Sequence, residues 1–114
     1  MRRSDILRKK EDFDALYKDG KSSGSRYVVL LYRKNGLSFN RYAFIASKKV
    51  GGSVERNRAR RLMREALRLS ELELSQGYDM AFIARNTITE SKCADVKKSI
   101  EAAEKRAGLA GEVR

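Results

Sequence analysis

The chain has 114 residues, with 26 lysines and arginines against 15 acidic residues, no histidine and one cysteine, so its formal net charge is +11. The length fits a single domain, residues 1–114, and the composition excludes histidine-dependent catalysis, histidine-ligated metals, an internal disulfide and a cysteine-cluster zinc site. One cysteine and no apolar run approaching about 18 residues predict a cytoplasmic protein with no membrane partner, and the basic residues 1–5 lack the apolar run of a secretory signal.

The first part of the chain predicts a short helix over residues 9–19. Acidic side chains at positions 11, 12 and 14 favour its N-terminal end, and Gly20 is a natural residue to end it. Phe13, Leu16 and Tyr17 follow the spacing i, i+3, i+4 and therefore share one face of this helix. The small residues 20–25 predict a loop.

Two strands are predicted next. Residues 27–32 are rich in β-branched and aromatic side chains, which favours a strand, and residues 33–36 carry a turn signal. Residues 37–39 predict only a poor strand or an extended turn. Residues 41–47 predict a second strand, antiparallel to the first if the connection is a hairpin, and the two glycines of residues 48–53 end it.

A long helix is predicted from Val54 to about Leu69, with Ser53 as its N-cap. After it, the continuous apolar run of residues 78–84 is typical of a strand buried on both faces. This order of elements predicts an α+β sandwich with helices packed on one sheet. For a strand–helix–strand crossover the default expectation is a right-handed connection.

The end of the chain predicts one more helix. Thr89 is its expected cap, Gly108 its expected end, and residues 109–114 give no structural signal. One apolar face is traced by Cys93, Val96, Ile100, Ala103 and Ala107.

Positive charge is concentrated in the middle of the chain. Residues 41–68 hold nine basic and two acidic side chains, whereas residues 69–114 hold seven basic and eight acidic ones. On a helical wheel, an arc of about 140° collects Arg56, Asn57, Arg60, Arg61, Arg64 and Arg68. Ala59, Leu62, Met63 and Ala66 lie on the opposite arc, and Arg58 lies at the boundary. The helix thus has one face for the core and one face of guanidinium groups.

Folding alone does not explain this arginine face, because like charges at i, i+4 destabilise a helix by a few tenths of a kcal/mol per pair. Bound phosphates would offset that cost, and the planar guanidinium holds phosphate oxygens bidentately. We therefore expect a folded RNA as the partner. A solvated basic face, a helix lying on an anionic membrane and a DNA-recognition helix are alternatives, although the flanking strands do not suit a helix-turn-helix.

Two adjacent motifs carry a family resemblance. Ser47-Lys-Lys-Val-Gly51, followed by Arg56-Asn-Arg-Ala-Arg-Arg-Leu-Met-Arg64, resembles the signature of the bacterial ribonuclease P protein family. Lys9-Lys-Glu-Asp-Phe13 with Tyr17 resembles the family's first helix, and Gly77-Tyr-Asp with Ile83-Ala-Arg85 resembles its late strand. The match covers roughly residues 5–107. The family usually has alanine at the position of Ser53 and often lysine at that of Arg60.

The resemblance implies a fold and a function. The fold would be an α-β-β-β-α-β-α sandwich on a small mixed sheet, with a left-handed βαβ crossover like that of domain 2 of ribosomal protein S5. The protein would be the non-catalytic subunit of a ribonucleoprotein endonuclease, whose RNA removes the 5′ leader of precursor tRNA. Magnesium would be held by that RNA, so the protein would have no catalytic or metal-ligating residue, no cofactor of its own and no obligate protein partner.

The resemblance also implies two binding surfaces. A catalytic-RNA surface would comprise Lys48, Lys49, Arg56, Asn57, Arg58, Arg60, Arg61 and Arg64, to which the helical wheel alone adds Arg68. A leader-binding cleft between first helix and sheet would use Phe13, Tyr17 and Arg41, with Leu31 on the cleft face and Tyr32 on the opposite one. For Phe13 and Tyr17 the alternative is core packing with Leu16.

Other functional classes remain open. A ribosomal-type RNA-binding protein without an enzymatic partner explains the charge but not the combined motifs. A nuclease acting alone would need a metal site, and the carboxylates of Glu11, Asp12 and Asp14 are better explained as residues that favour a helix start. A DNA-binding regulator is the remaining alternative.

Overall fold

The computed structural model describes residues 5–113; the basic residues 1–4 and residue 114 lie outside the described part. Three consecutive strands follow the first helix and two follow the second, with a 3-10 helix at Asn86–Glu90 before the last helix. The remaining elements are α1 (Lys10–Asp19), β1 (Lys21–Gly24), β2 (Val28–Lys34), β3 (Arg41–Ile45), α2 (Ser53–Leu69), β4 (Leu72–Leu74), β5 (Tyr78–Ala84), α3 (Cys93–Arg106) and β6 (Ala110–Val113).

Four strands form a mixed sheet in the order β1-β2-β5-β3. The β1–β2 and β2–β5 pairs are antiparallel, whereas β3 and β5 are parallel. Strands β4 and β6 form a separate antiparallel pair. The apolar run of residues 78–84 is therefore a central strand, which explains why it lacks the alternation of a strand with one wet face.

Helices cover both faces of the main sheet. The larger core lies between the sheet and helices α2 and α3, and its fully buried members include Leu30, Met63, Phe82 and Ile100. On the other face α1 covers a smaller cluster around Leu16. Successive strand residues point to opposite faces, so Leu31 joins the cluster under α1 and Tyr32 packs on the larger core, as predicted. No helix within residues 5–113 is long and apolar enough to cross a bilayer.

The two strands predicted at residues 27–32 and 41–47 become β2 and β3, and the hairpin considered for their connection is not formed, because β5 lies between them. Two asparagines of the connecting loop explain this arrangement. Asn35 Nδ2 donates to Asp79 Oδ1 at 3.0 Å, and Asn40 Oδ1 accepts from the Tyr78 backbone N–H at 2.9 Å. The loop is thus tied to the start of β5, and this strand takes the place between its neighbours.

Both predicted helix caps are wrong. Ser53 is the first residue of α2 rather than its cap, and the Glu55 carboxylate accepts a hydrogen bond from the Gly52 N–H at 3.4 Å. Thr89 lies in the 3-10 helix, and α3 begins only at Cys93. In both helices the carboxylate three residues in accepts from the N-cap backbone N–H, Glu55 from Gly52 and Asp95 from Lys92, so the helix start is held without a capping hydroxyl.

Two segments predicted to be irregular form strands. Residues 21–24 become β1 at the edge of the main sheet, and residues 110–113 become β6. The helices and the small mixed sheet confirm the predicted α+β class. The connection from β3 to its parallel neighbour β5 runs through α2, as a crossover requires, while its hand stays a prediction.

Candidate nucleic-acid interface

Helix α2 is held on the sheet by small and flexible apolar side chains. Ala59, Met63 and Ala66 are buried on its inner face. Arg61, Arg64 and Arg68 are exposed on the outer face together with Asn57, and Arg56 and Arg60 are half-buried along its flank. The predicted division of this helix into an apolar face and an arginine face is therefore present.

The arginines on α2 differ in how far the protein itself neutralises them. Arg56, Arg60, Arg61 and Arg64 form no ion pair with any carboxylate in the described part of the chain. Arg68, by contrast, pairs with Glu65, and its hydrogen bond lowers the pKa of that carboxyl. The uncompensated charge therefore lies over the first three turns of α2 rather than at its end.

Arg58 has a structural role that the helical wheel does not reveal. Its guanidinium donates hydrogen bonds to the backbone carbonyls of Ser91, at 2.8 Å, and Thr89, at 3.4 Å. These bonds join α2 to the segment that precedes α3. These bonds do not compensate the charge of Arg58, because carbonyl groups carry no net charge, but they use two of its five N–H donors.

The turn before α2 carries two exposed lysines, Lys48 and Lys49. The Ser47 carbonyl accepts from the Val50 N–H at 3.0 Å, and buried Val50 anchors the turn in the core. Gly51 then has a φ of +145°, which disfavours any residue with a side chain. This turn places both lysines beside the N-terminal end of α2, where unpaired backbone N–H groups also favour an anion.

On the opposite face of the sheet, α1 presents the predicted aromatic positions. Leu16 is 1% exposed and Tyr17 is 56% exposed, although both lie on the same side of the helix. Phe13 is partly buried against the cluster around Leu16. Core packing therefore explains Leu16 fully and Phe13 in part, and it does not explain Tyr17.

A groove of about 240 Å³ at the edge of β3 joins these two faces. Its walls include Phe13 from α1, Phe44 and Ile45 from β3, and Arg64 from α2. The Arg64 guanidinium carbon lies 5.6 Å from the centre of the Phe44 ring, a cation–π distance. The contributions of Phe44 and Ile45 were not predicted, and only the alternation of side chains along β3 would have signalled them.

Arg41 is bound by the protein's own carboxylates. Its Nε and Nη2 donate to Asp79 at 2.8 Å each, and its Nη1 donates to Asp12 at 3.2 Å. The Asp79 side chain is only 4% exposed, and its hydrogen bonds raise the pKa of Arg41. The contacts of Arg41 thus hold α1 against the sheet, while a contact with the leader stays a prediction.

The acidic residues near the start of α1 also have local partners. Asp12 contacts Arg41, and Asp14 lies 3.2 Å from the ammonium group of Lys10. Glu11 and Asp12 are in the first helical turn, where negative charge is favourable. Within residues 5–113 no group of three or more histidine, cysteine, aspartate or glutamate side chains is arranged to hold a metal ion.

Comparisons with known proteins agree on one family. The family model described as Ribonuclease P matches residues 1–108. The ribonuclease P protein component of Pelotomaculum thermopropionicum is 42% identical over 105 residues, covering 92% of this chain and 94% of that protein. The corresponding protein of Caldanaerobacter subterraneus subsp. tengcongensis is 44% identical over 95 residues, covering 83% and 82%.

Solved structures give the same result for the fold. The ribonuclease P protein of Staphylococcus aureus superimposes with a TM-score of 0.80 at 27% identity, covering 94% of this chain and 98% of that one. The protein of Thermotoga maritima superimposes with a TM-score of 0.78 at 30% identity, covering 89% and 96%. The mixed sheet and its helices are therefore shared with these proteins.

Proposed function

The chain belongs to the ribonuclease P protein family, and from that premise we propose that α2 binds the RNA subunit of ribonuclease P, which carries the catalytic chemistry. The protein is then a component of an RNA-processing enzyme rather than the catalyst itself. The observation that carries this proposal is the row Arg56, Arg60, Arg61 and Arg64 on α2, which has no carboxylate partner among residues 5–113. We propose that the protein functions in the cytoplasm, where precursor tRNA and the RNA subunit meet.

The physical role of α2 is to neutralise phosphates on a rigid support. Each phosphate neutralised by a lysine or arginine releases a counterion, so binding weakens steeply as salt rises. The buried contacts of Met63 and its neighbours fix the helix backbone, so the RNA orders only the arginine side chains, whose planar guanidinium loses less entropy per hydrogen bond than an ammonium group does. Magnesium would be held by the RNA, which the protein helps to fold by lowering phosphate repulsion.

Reconstitution tests this function directly. The protein is mixed with ribonuclease P RNA at low magnesium, and cleavage of a precursor tRNA at its mature 5′ end is measured. We expect the protein to raise cleavage that the RNA performs poorly alone. Cleavage by the protein without RNA, or no effect on the RNA, would contradict the proposal; the second result would favour a ribosomal-type RNA-binding protein.

The position of the RNA on α2 has its own test. Cys93, the single cysteine of the chain, is partly exposed and lines a cavity of about 310 Å³ with Arg58 and Arg61. A chelated iron attached to Cys93 should cleave bound ribonuclease P RNA at a confined set of nucleotides.

Arg61→Ala should weaken RNA binding and should lower the slope of log K against log salt concentration by about one, the loss of one phosphate contact. Lys34 is also exposed, and Lys34→Ala should change neither the affinity nor the slope.

For the leader of precursor tRNA, we propose the Phe13 groove and exposed Tyr17 as the binding surface. Unpaired bases stack on aromatic rings with about 1–3 kcal/mol per base, whatever their sequence. The groove runs from Phe13 to Arg64, so it offers a ring for a base and a guanidinium for the adjoining phosphate. Leader binding and RNA docking would then meet at the edge of β3.

Phe13→Leu and Tyr17→Ala test this surface. Leucine keeps much of the packing of Phe13 against α1's cluster but removes the aromatic ring, and Tyr17 is exposed, so its loss leaves the core intact. In the holoenzyme, both variants should lose affinity for tRNA with a leader and not for leaderless tRNA. An equal loss for both substrates would return Phe13 to a core role.

A further inference from the structure

We propose that a second cationic surface binds another segment of the ribonuclease P RNA. This surface, here called the loop patch, consists of Arg26, Arg85, Lys98 and Arg106 around the loop between β1 and β2. The proposal rests on the function proposed for α2. It is independent of the α2 arginines and of the groove at Phe13, because none of its residues belongs to either.

Two arginines of the loop patch are fixed by the loop's backbone. Arg106 Nη1 donates to the Gly24 carbonyl, and Arg85 Nη1 donates to the Ser25 carbonyl at 3.1 Å. A guanidinium has five N–H donors, so each bond leaves most of them for another acceptor. The two side chains are thus held in place before a ligand arrives, which lowers the entropic cost of binding.

The other two cations, Arg26 and Lys98, donate no side-chain hydrogen bond to the backbone of residues 5–113. The Arg26 guanidinium lies 5.3 Å from the centre of the Tyr27 ring, and Lys98 is exposed on α3. A shallow cavity of about 400 Å³ runs between Arg26, Lys98 and Arg106. Its floor includes Ser99, which the hydroxyl of Ser25 and the Tyr27 N–H both contact.

The charge of the loop patch is not compensated by the protein. No ion pair within the described residues involves Arg26, Arg85, Lys98 or Arg106. Asp95 borders the cavity, and its carboxylate already accepts a hydrogen bond from the Lys92 backbone N–H at 3.0 Å. Four cations against one such carboxylate form a site for a polyanion.

The location favours the RNA subunit over the leader. The loop patch borders α3, which lies on the same face of the sheet as α2, and it is next to β1, at the opposite edge of the sheet from β3 and the Phe13 groove. The side of α3 next to the β1–β2 loop carries Asp95, Lys98, Ala102 and Arg106 at helical spacing. Glu101, about 100° around α3 from this row, accepts a hydrogen bond from Ser70, the residue that follows α2. A folded RNA bound to α2 would reach the patch by crossing α3, roughly 20 Å away.

Charge reversal at Lys98 and Arg26 tests the loop patch without disturbing its anchors. Lys98→Glu and Arg26→Glu leave the bonds of Arg85 and Arg106 in place. Lys34→Glu, at the far end of β2, makes the same change in net charge and serves as the control. Binding of full-length protein to ribonuclease P RNA is measured over a range of salt concentrations, with hydroxyl-radical footprinting of the RNA.

We expect each patch variant to weaken binding about tenfold at about 0.1 M salt and to lower the salt slope by about one, relative to Lys34→Glu. In the footprinting experiment, each patch variant should expose RNA nucleotides that the parent protein protects from hydroxyl radicals. Arg61→Glu on α2 should leave those same nucleotides protected. Binding equal to that of the control would overturn the proposal, as would an effect confined to precursor tRNA or to anionic vesicles. If Arg61→Glu also has no effect, the function proposed for α2 fails instead.

Discussion

At the scale of single residues, Arg41 joins two layers of the molecule. Its guanidinium contacts Asp79 on the sheet and Asp12 on α1, and Asp79 is almost fully buried. Arg41→Ala should destabilise the protein by about 3–5 kcal/mol, because it leaves the buried Asp79 carboxylate without its paired cation and with the neutral Asn35 amide as a remaining donor. Urea unfolding followed by circular dichroism measures this change.

A second variant separates charge pairing from packing. Adding Asp79→Asn to Arg41→Ala removes the uncompensated charge, so it should recover part of the lost stability. Lys10→Ala breaks only an exposed pair with Asp14 and should cost less than about 1 kcal/mol. If Arg41→Ala were no more costly than Lys10→Ala, the proposed link between α1 and the sheet would be wrong.

Glu104 on α3 predicts an unusual dependence of stability on pH. Its side chain is fully buried, and its carboxylate oxygens have no hydrogen-bond partner among the described residues. Burial, with a smaller contribution from Glu101, raises its pKa from 4.5 to about 8. The folded state then keeps a proton that the unfolded chain releases, so the free energy of unfolding should fall as pH rises from 4.5 to about 8.

Glu104→Gln removes this titration and should flatten the pH dependence. The free energy of unfolding of the variant minus that of the parent chain should increase by on the order of 3–5 kcal/mol as the pH rises from about 5 to about 9. Glu90→Gln makes the same change in charge at an exposed site and should leave the slope in place. Equal slopes for Glu104→Gln and the parent, in urea titrations at several pH values, would refute this assignment.

At the scale of elements, the turn before α2 sets where the arginine helix begins. Gly51 has a φ of +145°, and a Cβ there would lie 3.0 Å from the Cβ of Glu55. Gly51→Ala should therefore cost about 1–3 kcal/mol and weaken RNA binding by moving the start of α2. Gly111→Ala is the control, since its added Cβ would meet the Glu73 carbonyl oxygen at 3.8 Å, an ordinary contact, and Gly111 belongs to neither proposed RNA surface. Thermal unfolding and RNA affinity of both variants provide the measurement.

Elements with a strong local pattern were predictable from the sequence. The amphipathic pattern of α2 and the apolar run of β5 each predict the boundaries of their element to within a residue or two. The pairing of β3 was not predictable, because it depends on Asn35 and Asn40 reaching residues about 40 positions later. The strands β1 and β6 were missed since their residues are small or polar and gain their structure from a neighbouring strand.

For the candidate binding residues, the sequence predicts where positive charge lies on α2, but it does not predict which groups of the protein each arginine contacts. The wheel placed the arginines on the outer side of α2 but did not show that Arg58 bonds to carbonyls or that Arg68 pairs with Glu65. The loop patch could not be predicted from the sequence, because its four cations come from three separate parts of the chain. Only the fold brings Arg26, Arg85 and Arg106 around one loop.

At the scale of the whole molecule, the net charge of +11 predicts stabilisation by anions. Anions that bind the folded chain at its unpaired arginines raise its stability by mass action. Millimolar sulfate should therefore raise the Tm more than chloride of equal ionic strength. The effect should shrink in Arg61→Ala/Lys98→Ala, which removes one cation from each surface; an unchanged sulfate effect in that variant would point to general exclusion of sulfate from the protein surface.

The parallel pairing of β3 with β5 bears on the order in which a newly made chain acquires its structure. Within residues 5–113, the earlier part of the chain offers β3 only an isolated bridge at Ile6, and its strand partner is β5, which is made later. Helix α2 is complete at Leu69, well before β5 ends at Ala84. The sheet on which α2 packs therefore still lacks its central strand when α2 has been synthesised. Contacts between segments distant in sequence form late. A nascent chain halted between these two points would therefore expose its arginines on an undocked segment, and a stable grip on RNA must wait for translation of the central strand.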